Sequence, residues 1–287
     1  MDLAYLELVK KTALTALMSD DDLFEMLVFK GGNALDLIYK ISSRASMDLD
    51  FSMATDFSDE ERAGMQKRLT RLFMDEYSRI DLVPFDIKFG PRPQKLAPEQ
   101  PPEWGGYRIE FKLADKSLAS QGDNNEMRRR ALELAADHTR TFSIDISKHE
   151  FCEKKERRQI ENYDIYIYPP QIILLEKIRA LCQQTEGYQG IMRSSRSARA
   201  RDFFDIYQLL TRFPEIDLCS PDSIKLLRRI FEIKRVPLAL LRDVRKDKAL
   251  HETDYPSLKN SMKPGFVLEP FSFYFDFVVE RLEKIPV

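Results

Sequence analysis

The strongest constraint on how this 287-residue chain can fold is a change of pattern at Pro169-Pro170. Before it, short segments alternate apolar and polar residues with the period of two that a half-buried strand requires: 81–89 (DLVPFDIKF), 107–113 (YRIEFKL), 141–147 (TFSIDIS) and 163–168 (YDIYIY). After it, 171–184, 198–211, 221–234 and 269–284 carry helical periodicity, and no strand pattern is found. A mixed half followed by an all-helical half predicts an α+β fold. The expected domains are 1–168, a mixed sheet with flanking helices, and 169–287, a helical region.

Other elements fill in the first half. Residues 2–18 set Leu3, Leu6, Val9, Leu14 and Leu17 near one helical face. The apolar run 26–29 leads into Gly31-Gly32, then a helical segment from Asn33 to about Tyr39 and a strand at 50–53. Ser58 with Glu61 has the form of a capping box, opening a helix that runs to about Tyr77. The prolines and glycines between Phe89 and Tyr107 predict a long loop, and 124–137 is expected to be helical.

Composition narrows the function. A formal charge of −2, from 45 basic and 47 acidic residues, provides no global field for a polyanion, so any such site must be a local patch. Cys152, Cys182 and Cys219 are scattered and odd in number, which excludes a disulfide framework and fits a reducing cytoplasm. His138, His149 and His251 do not cluster with them, which argues against structural zinc. The N-terminus lacks a basic segment leading into an apolar run, and no stretch reaches the ~18 apolar residues of a membrane span. A soluble cytoplasmic protein is expected.

The chemistry lies in Lys30-Gly31-Gly32-Asn33 followed by Asp48-Leu49-Asp50-Phe51. In a strand, Asp48 and Asp50 project to one side while Met47, Leu49 and Phe51 point to the other. Two carboxylates facing one way repel unless a cation lies between them. Mg²⁺ is the usual hard-oxygen solution, and it commonly bridges to substrate phosphates. The glycine pair lets backbone N–H groups approach a phosphate at a helix start. An acidic pair alone is more often an exposed strand face, and a glycine pair more often a turn. Their combination in this order points to a nucleoside triphosphate site.

The string FKGGNALDLIYKISSRASMDLDFS resembles the first motif of the AbiEii/AbiGii-type toxin nucleotidyltransferases, the MenT-like group within the DNA polymerase β-like superfamily. Lys30, Gly31, Gly32, Leu35, Arg44, Ser46, Asp48, Asp50 and Phe51 match. Asn33 stands where that family has Thr or Ser. LLEKIRAL, 174–181, resembles its second signature through Lys177, and ARDFFDIYQLL, 200–210, its third through Arg201, Asp202 and Asp205. The resemblance implies a polymerase β-like core and an in-line transfer of a nucleoside monophosphate from NTP, with pyrophosphate leaving. Asp48, Asp50 and Asp145 would be the carboxylates of a Mg²⁺ (or Mn²⁺) site, with Asp86 the rival for the third. Lys30, Gly31, Gly32, Asn33, Ser46 and Lys177 would bind nucleotide. Asp202 would orient Lys177 from the helical domain, with Asp205 the alternative.

The resemblance further implies the tRNA 3′ end as acceptor, translation arrest as outcome and a cognate antitoxin as partner. Arg193, Arg196, Arg199 and Arg201 form the basic run best suited to RNA phosphates. Arg128-Arg129-Arg130 and Lys154 to Arg158 are further basic segments, though a solvated helix face is the commoner origin of each. Two other readings stay open: transfer of a nucleotidyl or phosphoryl group to a protein hydroxyl, and nucleotide binding without turnover.

Overall fold

The computed structural model describes residues 3–96, 100–101, 104–134, 138–192 and 195–286. They form two compact units. The first gathers Met1–Asn33, Met47–Lys95 and Gly105–Ile167; the second gathers Ala34–Ser46, Leu96–Trp104 and Tyr168–Val287.

In the first unit a seven-stranded mixed sheet is built from β1 (Val28–Lys30), β2 (Leu49–Ser52), β3 (Leu82–Arg92), β4 (Gly106–Asp115), β5 (Phe142–Ser147), β6 (Glu156–Ile160) and β7 (Tyr163–Ile167). Their spatial order is β3-β4-β5-β2-β1-β7-β6. β2 runs parallel to β5 and antiparallel to β1, which brings the Asp50 strand to the middle of the sheet. The alternation read from the sequence is present: Phe142, Ile144 and Ile146 are buried while Ser143, Asp145 and Ser147 are half-exposed.

Two long helices pack on the apolar face. α1 (Leu3–Met18) and α2 (Asp59–Tyr77) contribute the stripes that the sheet's Phe and Ile residues need as partners. On α2, Phe73 and Tyr77 lie 4.7 and 5.7 Å from Phe111 of β4, which in turn lies 5.2 Å from Phe142 of β5. The Tyr77 hydroxyl donates to the Val9 carbonyl at 2.9 Å, tying the helices together. The capping box is complete: Glu61 N–H donates to Ser58 Oγ and Ser58 N–H to Glu61. Some elements escape the sequence pattern, among them the short helices Asp21–Met26, capped by Asp20, and Lys116–Ala119, and β6, a charged edge strand whose residues read as a basic segment.

The helix expected over 124–137 is shorter. It spans Asn124–Arg130 and stops where Leu132 N–H bonds to the Leu113 carbonyl of β4 at 2.8 Å. Pairing with the sheet takes the donor that another helical turn would use. Residues 135–137 lie outside the described part.

The second unit centres on α3 (Pro170–Cys182), α4 (Ala200–Arg212), α5 (Pro221–Ile233) and α6 (Phe271–Lys284). Aromatic packing joins α4 to α6: Phe203 to Phe275 at 5.1 Å and Phe204 to Tyr274 at 5.3 Å. A fully buried phenylalanine contributes about 1.5–3 kcal/mol, so this seam is a main source of stability.

The second unit takes in Tyr168–Val287 and two earlier segments. Ala34–Ile38 is a π-helical turn closed by Tyr39 N–H on the Ala34 carbonyl at 3.1 Å. The chain beyond it is held by Ala45 N–H on Ser261 and Lys263 N–H on Ser43, at 2.8 and 2.9 Å. Trp104 lies 6.2 Å from Tyr188 and beneath Lys234. These bonds and contacts account for the grouping better than sequence order does. Among the described residues, no helix is long and apolar enough to cross a membrane.

Candidate active site

In the first unit, the face of the sheet opposite α1 and α2 is polar, and strand register builds it. Lys30 on β1, Asp50 on β2, Asp145 on β5 and Arg108 on β4 are successive Cα partners, so they form one row across four strands. Partnered residues share a face. A basic residue stands at each end of the row, and two carboxylates stand between. Lys30, assigned to nucleotide by resemblance, is therefore the direct cross-strand neighbour of Asp50.

Asp48 lies just before β2 and is exposed. Ser143 Oγ donates to its Oδ1, placing the carboxylate on the same polar face. Asn33 is fully buried, and its Nδ2 donates to the Asp48 carbonyl at 2.7 Å. The amide thereby fixes the backbone that presents Asp48. Gly31 has φ +74°, and a Cβ there would lie 3.0 Å from both Cβ and Cγ of Asp50. Only glycine lets the chain turn so close under that carboxylate.

Asp145 differs from the other two. Arg108 donates Nε to Oδ1 and Nη2 to Oδ2, both at 2.7 Å, and Arg92 Nη1 lies 3.0 and 2.9 Å from the same oxygens. Burial pushes its carboxyl up, Arg108 opposes that, and the Asp48 and Glu110 charges add to it, for a net upward shift. Asp48 and Asp145 are thus within electrostatic reach. Asp86, the rival, sits in a bulge of edge strand β3 at φ +50°. Arg128 holds it through two bonds of 2.8 Å and keeps its carboxyl low.

Hard carboxylate oxygens are the donors that Mg²⁺ takes, and Asp48 and Asp50 meet that requirement. The oxygens of Asp145 make four guanidinium contacts instead. Among the described residues, no three His, Cys, Asp or Glu side chains are gathered closely enough to hold a metal ion.

The second unit contains the Lys177 signature. Lys177 Nζ lies 2.8 Å from Asp202 Oδ1 and 2.7 Å from Asp205 Oδ2. Arg44 clamps Asp205 with two bonds of 2.9 and 2.6 Å, and Arg199 reaches Asp202 at 3.1 Å. Both aspartates therefore hold the lysine. Burial alone would raise both carboxyls, but Lys177 and Arg199 hold Asp202 well below the usual range, and Arg44 and Lys177 hold Asp205 below it. Burial lowers Lys177, and the two aspartates more than restore it. Arg44 and Asp205 match the family motifs, yet the motifs alone give Arg44 no role. Their pairing across 161 positions has no local signal.

The expected RNA run is largely engaged. Arg193 lies outside the described residues. Arg196 bonds to Gln184 O at 2.5 Å and to Asp247, and exposed Arg201 bonds to Ser257. Ser46 is half-buried at the end of the Ala34–Ser46 segment.

The chain thus combines a mixed sheet with carboxylates on its polar face and a helical unit with a buried Lys177–Asp202–Asp205 cluster. Its overall fold resembles a protein from H. pylori assigned as a nucleotidyltransferase: TM-score 0.52, 18% identity, 99% of this chain and 96% of that one. It likewise resembles MenT4, a nucleotidyltransferase toxin from Mycobacterium tuberculosis H37Rv: TM-score 0.50, 16% identity, 99% and 85%. No curated protein sequence matches the chain. The sequence profile described as nucleotidyl transferase AbiEii toxin, type IV toxin–antitoxin system, matches residues 12–277, and the chain belongs to that family. Membership makes it a nucleotidyltransferase toxin, with NTP as substrate and an antitoxin as partner.

Proposed function

We propose that the protein transfers a nucleoside monophosphate from NTP to an RNA hydroxyl, the tRNA 3′ end being the expected acceptor, and so arrests translation in the cytoplasm. The observation that carries this reading is the Asp48–Asp50 pair on the polar sheet face, with Asp50 seated against Gly31, in a chain of this family. Asp48 and Asp50 are the residues that would hold Mg²⁺ or Mn²⁺. Such an ion, when bound, offsets charge on phosphate oxygens.

The acceptor oxygen attacks the α-phosphorus, the bond to the β-phosphate oxygen breaks, pyrophosphate leaves, and the hydroxyl proton passes to solvent. Asn33 holds the Asp48 backbone in place. Gly31, Gly32 and Lys30 stand beside Asp50 and are assigned to the phosphates. Ser46 and Lys177 keep their nucleotide role as part of this proposal; Asp202 and Asp205 orient the Lys177 ammonium. An antitoxin that neutralises the toxin completes the system.

The test incubates the full chain with Mg²⁺, total tRNA and each NTP labelled in turn at its α- or γ-phosphorus. Label from the α-position on tRNA is the expected result. Label on protein redirects the reading to a protein hydroxyl, and γ-label transfer to a kinase. Nucleotide binding with no transfer refutes catalysis. Equal transfer by wild type and Asp48→Ala/Asp50→Ala removes these two residues from the site.

A further inference from the structure

The polar face of the sheet contains a second feature that the resemblance does not assign. A carboxylate offers about four lone-pair sites. In Asp145 all four are met by guanidinium N–H groups: two from Arg108 at 2.7 Å and the bifurcated contact of Arg92 Nη1 at 3.0 and 2.9 Å. Arg108 comes from β4, the strand next to β5, and is the Cα partner of Asp145. Arg92 comes from the last residue of β3. Two arginines from two strands thus converge on one acid.

Asp145 balances one guanidinium, and Glu110, 4.0 Å from Arg108, offsets part of the charge on the other. Arg92 and Arg108 remain 49% and 29% exposed, and each has more N–H donors than Asp145 takes. Each guanidinium has five donors in a rigid fork, a geometry that suits phosphate oxygens as well as carboxylate ones. Adjacent strands lie about 4.8 Å apart, so the Arg108 backbone stands roughly 10 Å from that of Asp50 along the row. A phosphate bound to the arginines would lie within the span of an extended polyphosphate or nucleotide chain engaged at Asp48 and Asp50.

We propose that Asp145 is the anchor of an arginine pair, not a third metal ligand, and that Arg92 and Arg108 bind a phosphate group of the substrates beside Asp48 and Asp50. The proposal rests on the transferase reading above. The recognised chemistry is a phosphate oxyanion, and its source is either the triphosphate of NTP or the backbone of the RNA acceptor.

The experiment uses the full chain and reads binding, not turnover. Mn²⁺ affinity is measured from the electron paramagnetic resonance of free Mn²⁺. Affinities are measured separately for an NTP analogue with a non-transferable α,β-methylene bridge and for a single-stranded RNA oligonucleotide. The variants are Arg92→Gln/Arg108→Gln, Arg108→Lys, Asp145→Asn and Asp48→Asn, each checked by circular dichroism. The double arginine variant is expected to lose about tenfold or more in affinity for one phosphate ligand, since charge-assisted hydrogen bonds are lost. Its Mn²⁺ affinity should not fall below wild type, since two positive charges are removed near Asp48 and Asp50.

Loss confined to the analogue identifies the triphosphate as the ligand, and loss confined to RNA identifies the acceptor. Arg108→Lys, which keeps the charge but not the fork, should fall between wild type and the double variant. Wild-type affinity of the double variant for both ligands overturns the proposal. So does a loss of Mn²⁺ affinity in folded Asp145→Asn comparable to that in Asp48→Asn. Should Asp145→Asn not fold, the arginine variants decide alone. Retained Mn²⁺ affinity in Asp48→Asn, by contrast, counts against the metal assignment and leaves the arginine result standing.

Discussion

Replacing Gly31 with alanine tests the closest approach in the candidate site. Gly31 has φ +74°, a region that costs an L-residue about 1–2 kcal/mol. The added methyl would also lie 3.0 Å from Cβ and Cγ of Asp50 and nearer still to its carboxylate. Overpacking of that kind costs about 1–3 kcal/mol. The two together come to about 2–5 kcal/mol, within the roughly 5–15 kcal/mol that a native protein has to lose, so the variant should fold. Asp50 can relieve the clash only by moving its carboxylate. A misplacement of about 1 Å in a catalytic group costs on the order of 10²-fold in rate. Urea unfolding and the α-label transfer assay should therefore both register the change.

Two comparisons make the inference specific. Gly64 is on the exposed side of α2 with nothing within 4 Å of its added Cβ. There the same substitution should stabilise by about 0.8–1 kcal/mol and leave transfer unchanged, because alanine is the better helix former. In an Asp50→Ala background, Gly31→Ala should keep the backbone strain and the 3.0 Å approach to the Cβ of residue 50 but lose the clash with the carboxylate. The difference between the two backgrounds then measures the contact with the Asp50 carboxylate. Gly31→Ala with wild-type stability and wild-type transfer would refute the reasoning.

Two further outcomes follow from the second unit. The side chains of Arg44 and Asp205 are only 5% and 2% exposed, so Arg44→Ala should cost about 3–5 kcal/mol in urea unfolding by leaving a buried carboxylate short of its partner; an unchanged midpoint would show that the pair is not structural. His251 accepts a hydrogen bond from Arg199 N–H, and burial lowers its pKa to about 4 from an ordinary 6.5. Because the folded value lies below the unfolded one, this group's contribution is undiminished above pH 6.5 and weakens as pH falls toward 4, by on the order of 3 kcal/mol. His251→Gln should remove that part of the slope in unfolding midpoints measured across the interval, and parallel profiles for the two proteins would sink the assignment.

Much of this framework can be read from local pattern, because its cause is local. A period of two decides which side of β5 is apolar, so the sequence alone puts Asp145 on the polar face. Ser58 and Glu61 satisfy each other's backbone within one turn, so the start of α2 is written in four residues. What the sequence leaves open depends on register between distant segments. Nothing in YRIEFKL says that Arg108 will lie opposite Asp145, and nothing near Pro91 says that Arg92 will reach the same carboxylate. The consequence is chemical. An aspartate on a strand beside Asp50 reads as a third metal ligand from the sequence, and the fold adds two guanidiniums at its oxygens, on which the counter-ion proposal rests. Arg44 and Asp205 show the same effect with the sign reversed. Each is only a position in a motif until the fold pairs them, and Asp205 then holds the arginine and Lys177 together. Residue type and spacing can therefore nominate the groups of this site, but long-range pairing decides whether a carboxylate remains available to a cation or is already committed to an arginine.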